Sequence, residues 1–316
     1  MAIQLAVVGL GKIAQDQHLP AIEASPDFDL ICGASINGES PRGCTYGSIE
    51  TMLESEPAIE AVSLCQPPQV RFAAARAALL AGKHVLLEKP PGATLSEVYA
   101  LADLARERGL TLFAAWHSRY ASGIEPARQW LAGKTIHSVR ITWREDVRIW
   151  HPGQKWIWQP GGLGVFDPGI NALSIAAHLL PAFRLAEGTL SYPSNQAAPI
   201  AADLCFTTLD GAPVLADFDF RQTGQQTWDI RIATDAGELL LSKGGDRLEL
   251  AGVVQTLGDE AEYPSLYAHF AELIAAGQSD VDLRPLRHVA DAFLRASRVE
   301  VEPFVEEEPG LRAVMA

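Results

Sequence analysis

The first third of the chain repeats one pattern: a short, continuously apolar run followed by a helical stretch. Ile3–Val8, Phe28–Ser35, Ile59–Cys65, His84–Leu87 and Leu110–Trp116 read as strands. Apolar runs without polar alternation belong to strands buried on both faces, which indicates a parallel sheet covered by helices on each side. Gly9–Ala24, Ser48–Glu54 and Gln69–Ala81 read as helices between them. Pro67-Pro68 suits a loop or the first turn of the third helix, and Gly82 its stop. Thr94 with Glu97 forms a capping box for a further helix ending near Gly109.

The pattern changes after about residue 120. A helix, Ile124–Leu131, stops at Gly133, and Ile136–Val147 alternates like a strand with one buried face. Residues 151–167 are rich in Gly, Pro and Trp, and a helix follows from Pro168 to about Leu180. Leu185–Val254 reads as antiparallel strands with hairpin turns at Asp210-Gly211 and Asp235-Ala236-Gly237. Helices Ser265–Ala276 and Leu286–Arg298 and an acidic tail, Glu306–Glu308, complete the chain. With 316 residues, and about 150 per domain, two domains are expected: residues 1–118 and 119–316.

Charge narrows the partners. The net charge is −14; residues 1–158 carry 15 basic and 16 acidic side chains, whereas residues 159–316 carry 10 and 23. Neither half offers the basic surface that a nucleic acid or an anionic bilayer requires. No apolar run reaches the roughly 18 residues of a membrane span, and the opening MAIQLAVVGLG has no cationic leader, so no signal peptide is expected. Cys32, Cys44, Cys65 and Cys205 are scattered, without C-x-x-C pairs or histidines at metal spacing. A reduced, cytoplasmic protein with no metal site is expected.

Gly9-Leu10-Gly11-Lys12-Ile13-Ala14 follows a strand and opens a helix. Such a turn lets the backbone approach a pyrophosphate at the positive end of the helix, which is the dinucleotide fingerprint with alanine at its third small position. The acid that would bind the ribose hydroxyls is missing: the second strand ends Ala34-Ser35-Ile36-Asn37, with Asp29 at its wrong end and no arginine until Arg42. Neither strict NAD nor strict NADP selectivity is indicated. Glu88-Lys89-Pro90 lies at the carboxyl end of a strand, where open α/β sheets place ligands, although a strand-end lysine is also a common solvated residue. Asp167, ahead of Pro168, reads as a helix N-cap, yet Asn171 projects from nearly the same face one turn later. Six of seven tryptophans fall between residues 116 and 158, with His117 and His151 among them. Core or subunit interface is the plainer role for most of these rings, while Trp150, His151 and His117 are the better candidates for a ligand. Flat rings stack on sugar faces, and imidazoles bond sugar hydroxyls.

The glycine turn, Glu88-Lys89-Pro90 and the segment Gly161–Asn171, in this order, resemble the glucose–fructose oxidoreductase/inositol dehydrogenase family over essentially the whole chain. Gly11–His18, Ala115–Arg119, Trp150–Gln154 and Pro160–Ala172 resemble its bacterial D-galactose and L-arabinose 1-dehydrogenase branch. The resemblance implies an N-terminal Rossmann domain and a C-terminal α+β domain with a large, mostly antiparallel open sheet, an α/β protein whose sheet face commonly pairs two subunits. It implies NAD(P)-dependent oxidation of an aldopyranose at its anomeric carbon to the aldonolactone. Lys89 and Asp167 match the catalytic lysine and aspartate, while the family's usual histidine is Asn171, as in the sugar branch. The proton acceptor is then Asp167 or Lys89. His117, Trp150, Asn171 and Trp228 are expected to hold the sugar. The cofactor is expected against Gly9, Gly11, Lys12, Ile13, Ser35, Pro67, Glu88 and Lys89. A dinucleotide-binding sensor without catalysis and a dehydrogenase of another polyol, such as an inositol, are the competing readings.

Overall fold

The computed structural model describes residues 2–259 and 261–306, so of the acidic tail only Glu306 is included. Two compact units divide the chain, Met1–Glu125 with Gly258–Arg287, and Pro126–Leu257 with the residues from His288 onward. The single break expected at residue 118 therefore differs from the observed division, because a late segment returns to the first unit.

In the first unit, β1 (Ile3–Val8), β2 (Phe28–Ala34), β3 (Thr45–Tyr46), β4 (Ala61–Leu64), β5 (His84–Glu88) and β6 (Leu112–Ala115) form a sheet in the order β3-β2-β1-β4-β5-β6. Every adjacent pair is parallel. This is the doubly wound order, and its direction reverses between β1 and β4, where ligands of such sheets bind. The connecting helices are α1 (Leu19–Ala24), α2 (Ile49–Ser55), α3 (Pro68–Leu80) and α4 (Leu95–Arg108). The expected capping box of Thr94 and Glu97 is present, and Gly109 ends α4 in the left-handed conformation.

The first helix departs from the expected Gly9–Ala24. It begins at Lys12 and widens into a π turn over Ala14–His18 before α1. Pro20, at the start of α1, has no amide hydrogen for the turn before it, and a local widening relieves that conflict. The result carries His18 into the interior, where it is fully buried.

The segment that returns is α8 (Glu262–Ala276), followed by α9 (Arg284–Arg295). Tyr263, Leu266, Tyr267, Phe270 and Leu273 recur at helical spacing and share one core with Leu5, Val7, Ile22, Phe28 and Phe113. Phe270 stacks on Phe28 at 5.6 Å and on Phe113 at 6.0 Å between ring centres.

The second unit, from Pro126, takes in most of α5 (Ile124–Leu131) and then β7 (Ile136–Arg144). A single turn, α6 (Val147–Trp150), follows, so the expected strand Ile136–Val147 ends early. Asp146 accepts from the Arg148 amide and starts that turn. Then come α7 (Phe166–Leu179), β8 (Phe183–Pro193), β9 (Ala201–Thr208), β10 (Pro213–Asp219), β11 (Thr227–Thr234), β12 (Gly237–Ser242), β13 (Arg247–Leu250), β14 (Val253–Val254) and β15 (Ser297–Val301). They form one sheet, β14-β13-β12-β11-β7-β10-β9-β8-β15. Most pairs are antiparallel as expected, but β10 runs parallel to β7 and β15 parallel to β8. The strand β15 begins within the expected helix Leu286–Arg298, at Ser297, where Val299 and Val301 alternate with charged residues. Gly211 and Gly237, with φ of +90° and +111°, turn the two expected hairpins.

One sheet face carries Val139, Ile141, Trp143, Phe206, Phe218, Ile230 and Ile232, all buried. Helix α7 lies on this face: Phe166 meets Phe218 edge-on at 5.9 Å, and a Cβ on Gly169 would fall 2.9 Å from the Phe218 ring. Residue 169 must be glycine for the helix to approach so closely, and that approach fixes where the start of α7 points. Because α8 belongs to the first unit's core, Phe270→Ala should destabilise the chain by about 3–5 kcal/mol in urea unfolding; a loss below about 1 kcal/mol would contradict this packing.

Candidate active site

Three turns follow the carboxyl ends of β1, β4 and β5. Gly9, with φ +87°, lies so close to the strand after β4 that a Cβ would stand 2.8 Å from the Gln66 amide nitrogen, whereas the space above Gly11 is open. Ser35, at the end of β2, accepts weakly from the Leu10 amide at 3.4 Å and exchanges hydrogen bonds with the Asn37 backbone. Lys12 is exposed and paired with Asp16. Arg42 lies 3.5 Å from Asp29 and 3.8 Å from Glu23. Pro67, exposed, precedes α3 as its N-cap. Buried Arg71 of α3 donates to the carbonyls of Gln66, Glu88 and Pro90, tying the turns after β4 and β5 together.

Lys89 is half-buried and is joined to Pro90 by a cis peptide bond. Its neighbour Glu88 is only 2% exposed, and its carboxylate faces inward. Tyr263 donates to Glu88 Oε1 at 2.7 Å, and His18 Nε2 lies 3.4 Å from the same oxygen. On its other side His18 Nδ1 meets the Tyr267 hydroxyl at 2.7 Å, which in turn lies 3.0 Å from Ser63 Oγ. Burial opposes the charged form of Glu88, but the hydrogen bond and charge of His18, with the charges of His117 and Lys89, hold it down to about 2. Burial likewise opposes the imidazolium of His18. Cys65 and Tyr267, with hydrogen bonds to Cys65 and Glu88, outweigh it and raise His18 well above the ordinary value. His117, one residue past Trp116, has its Nδ1 2.6 Å from Glu262 Oε2 and stacks on Tyr263 at 5.3 Å.

In the second unit Asp167 does not cap its helix. Val165 occupies the cap position without a side-chain bond, and Asp167 sits inside the first turn, 3% exposed. The chain is already turned by the loop at Gly164, whose φ is +53°, so the carboxylate is released from capping. Its Oδ2 lies 3.4 Å from His151 Nδ1. His151 Nε2 lies 3.0 Å from Glu145 Oε1, and the other Glu145 oxygen accepts from Trp228 Nε1 at 3.0 Å. Trp150 stands edge-on to Trp228 at 5.0 Å. His151 thus bonds Glu145 through Nε2 and turns Nδ1 toward the buried Asp167 carboxylate. Asn171 follows Asp167 by one turn of α7 and is half-buried. Trp116, Trp143 and Trp158 are buried in the cores, as the plainer reading had it.

Residues 3–116 match the model of an oxidoreductase family with an NAD-binding Rossmann fold, the GFO_IDH_MocA family. Over 305 residues the chain is 48% identical to galactose 1-dehydrogenase of Pseudomonas fluorescens, covering 96% of this chain and 99% of that protein. This chain belongs to that family. Among solved structures, a D-galactose-1-dehydrogenase protein from Rhizobium etli shares 57% identity with a TM-score of 0.93, over 96% of this chain and 98% of that one. A 3-ketoreductase from Actinomadura kijaniata, solved with NADP, shares the fold at 21% identity, with a TM-score of 0.83 over 95% of this chain and all of that one.

The chain is therefore an oxidoreductase, and its first unit fits a dinucleotide. The close approach of Gly9 to Gln66, the open space over Gly11 and the helix beginning at Lys12 form a backbone cradle at the point where the strand order reverses. No group of three or more His, Cys, Asp or Glu able to hold a metal occurs among the described residues. Sequence reasoning passed over Glu145, Glu262, His18, Tyr263 and Tyr267. Glu145 was signalled by continuing the alternation Ile141, Trp143 onto the buried face, and the tyrosines by their spacing of four on α8.

The His18–Glu88 contact makes stability depend on pH. His18 has a raised folded value, so its contribution is full below 6.5 and is lost as pH rises through that value. Glu88 has a lowered one, so its contribution is present above 4.5 and is lost as pH falls towards 2. The urea-unfolding penalty of His18→Leu should be larger near about pH 6 than near about pH 9; equal penalties would contradict the pairing.

Proposed function

We propose that this oxidoreductase oxidises the anomeric carbon of an aldopyranose, D-galactose foremost and L-arabinose as well, to the aldonolactone, with NAD or NADP. The observation that carries this reading is the row Asp167–His151–Glu145, with Trp228 and Trp150 beside it, in a chain 57% identical to a D-galactose-1-dehydrogenase protein. An aldopyranose has an apolar face for indole rings and a ring of hydroxyls for acids, amides and imidazoles. D-Galactose and L-arabinose share ring stereochemistry and differ by one exocyclic hydroxymethyl group, so acceptance of both is expected.

The proton of the anomeric hydroxyl goes to Asp167. This buried carboxylate has His151 behind it to share the proton, and Glu145 holds His151 in place. Asn171, an amide where the family usually has histidine, bonds a sugar hydroxyl and accepts no proton. Trp150 and Trp228 bear on the ring, and His117, with Nδ1 committed to Glu262, offers Nε2 to a hydroxyl. Lys89 donates a hydrogen bond to the reacting hydroxyl. Gly9, Gly11, Lys12, Ile13, Ser35, Pro67, Glu88 and Lys89 belong to the cofactor side. A bound nicotinamide supplies the hydride acceptor.

The outward face of the nine-stranded sheet carries Arg140, Arg144, Asp203 and Asp217, with Arg144 paired to Asp217. Such mixed charge can meet its own copy, so a homodimer through this face is proposed. No helix of the described residues is long and apolar enough to cross a membrane, and Cys32, Cys44, Cys65 and Cys205 are free thiols. A cytoplasmic setting accords with both.

Three measurements follow. Asp167→Asn and Lys89→Met should each lower kcat for D-galactose by about 100-fold or more with cofactor binding retained; near wild-type turnover in both would overturn the assignment. Absorbance of reduced cofactor, followed across a sugar and inositol panel with NAD and NADP, should rise with galactose and arabinose, whereas silence throughout would favour a sensor. Light scattering after size exclusion should report a dimer, and a monomer at micromolar concentration would contradict the sheet interface.

A further inference from the structure

Apart from Glu88, placed on the cofactor side, the buried row Ser63–Tyr267–His18–Glu88–Tyr263 is not used by the reaction as proposed. It lies in the first unit, and every member is at most 4% exposed. Its composition is costly: an ionised carboxylate and an imidazole withdrawn from water would be more cheaply replaced by apolar side chains of the same volume. It also ends at one particular residue, Glu88, the neighbour of Lys89 in the chain. The backbone of the same turn is held from the other side by Arg71, which donates to the Glu88 and Pro90 carbonyls. Side chain and main chain of residue 88 are thus fixed independently, and Lys89 is the first residue beyond that clamp.

We infer that His18 and Tyr263 are positioning residues for Lys89: by holding the Glu88 carboxylate at 3.4 and 2.7 Å they keep the Lys89 ammonium in one place for the reacting hydroxyl. The inference rests on the role proposed above for Lys89. It explains why α8 returns to the first unit, since only that helix supplies the Tyr263 and Tyr267 hydroxyls. It also gives the π turn a purpose beyond accommodating Pro20, because that turn delivers His18 between the tyrosines and Glu88, edge-on to both rings at 4.9 and 5.8 Å. The titratable and charged groups around Glu88 are His18 from the π turn, Tyr263 and Tyr267 from α8, His117 after β6, Cys65 after β4, Arg71 from α3 and Lys89 itself, with Glu262 behind His117. Removing the Tyr263 hydroxyl takes one donor from a carboxylate that no water reaches. Glu88 then binds a proton at higher pH, and below that pH Lys89 loses its negative neighbour.

The test uses the full-length enzyme with D-galactose and NAD. The variants are Tyr263→Phe, which keeps the ring, His18→Leu, which removes the hydrogen bonds, and His18→Gln, whose amide can still donate to Glu88. Tyr263→Phe and His18→Leu should each lower kcat by about tenfold, with KM for the sugar and the cofactor Kd within about threefold of wild type. His18→Gln should recover at least about threefold over His18→Leu. Wild-type kcat in Tyr263→Phe, beside a Lys89→Met enzyme that has lost turnover, would overturn the inference alone. A loss of activity that merely tracks a lowered Tm, with no recovery in His18→Gln, would mark a structural role and also overturn it. Should Lys89→Met itself retain wild-type turnover, the reading of Lys89 falls and this inference with it.

Discussion

A carboxylate withdrawn from water is tolerable only where the protein returns the hydrogen bonds that water gave it. Among the described residues the buried acids Glu88, Glu145, Asp146 and Asp167 live under that rule, Asp146 accepting from the Arg148 amide. Glu88 receives Tyr263 and His18, Glu145 receives Trp228 and His151, and Asp167 faces the other nitrogen of His151. Each partner is held by an element that must itself be built: the π turn before Pro20, the returning helix α8, the strand β11 and the single turn α6. The helix α7, lying close over Phe218 through Gly169, is what aims Asp167. Much of the fold can therefore be understood as the scaffold that keeps these acids partnered.

The two units divide the work by the chemistry of their strand ends. Parallel strands all end on one edge of a sheet, so the turns after β1, β4 and β5 gather there, and a glycine-bounded helix start makes that edge receptive to phosphate. The second sheet has one buried apolar face and one polar face. Its strand β7 carries Glu145 just past its end, and β11 carries Trp228, so a mostly antiparallel frame presents acids and indoles together.

Much of this was legible in the sequence because local physics governs it. Continuous apolar runs marked the parallel strands, Thr94 with Glu97 the cap of α4, and Asp210-Gly211 and Asp235-Ala236-Gly237 the hairpins. The glycine turn, Lys89, Asp167, Trp150 and Trp228 were also visible, partly through the family resemblance. What stayed hidden depends on contacts between distant residues. Asp167 looked like a cap because Pro168 follows it, and only the placement of His151 shows its carboxylate turned elsewhere. His18 looked like one more residue of an ordinary helix, since nothing local announces a Tyr267 that lies 249 positions away. Parallel pairing of β10 with β7 and of β15 with β8 is likewise a matter of topology rather than of pattern.

The most direct measurement follows the hydrogen at the anomeric carbon. With D-galactose carrying deuterium at C1, the reduced cofactor should contain the label, the sugar should be recovered as its aldonolactone, and turnover limited by the transfer should slow. Reduced cofactor free of deuterium, or oxidation at any other carbon of the sugar, would contradict the reaction drawn from Asp167, Lys89 and the rings around them.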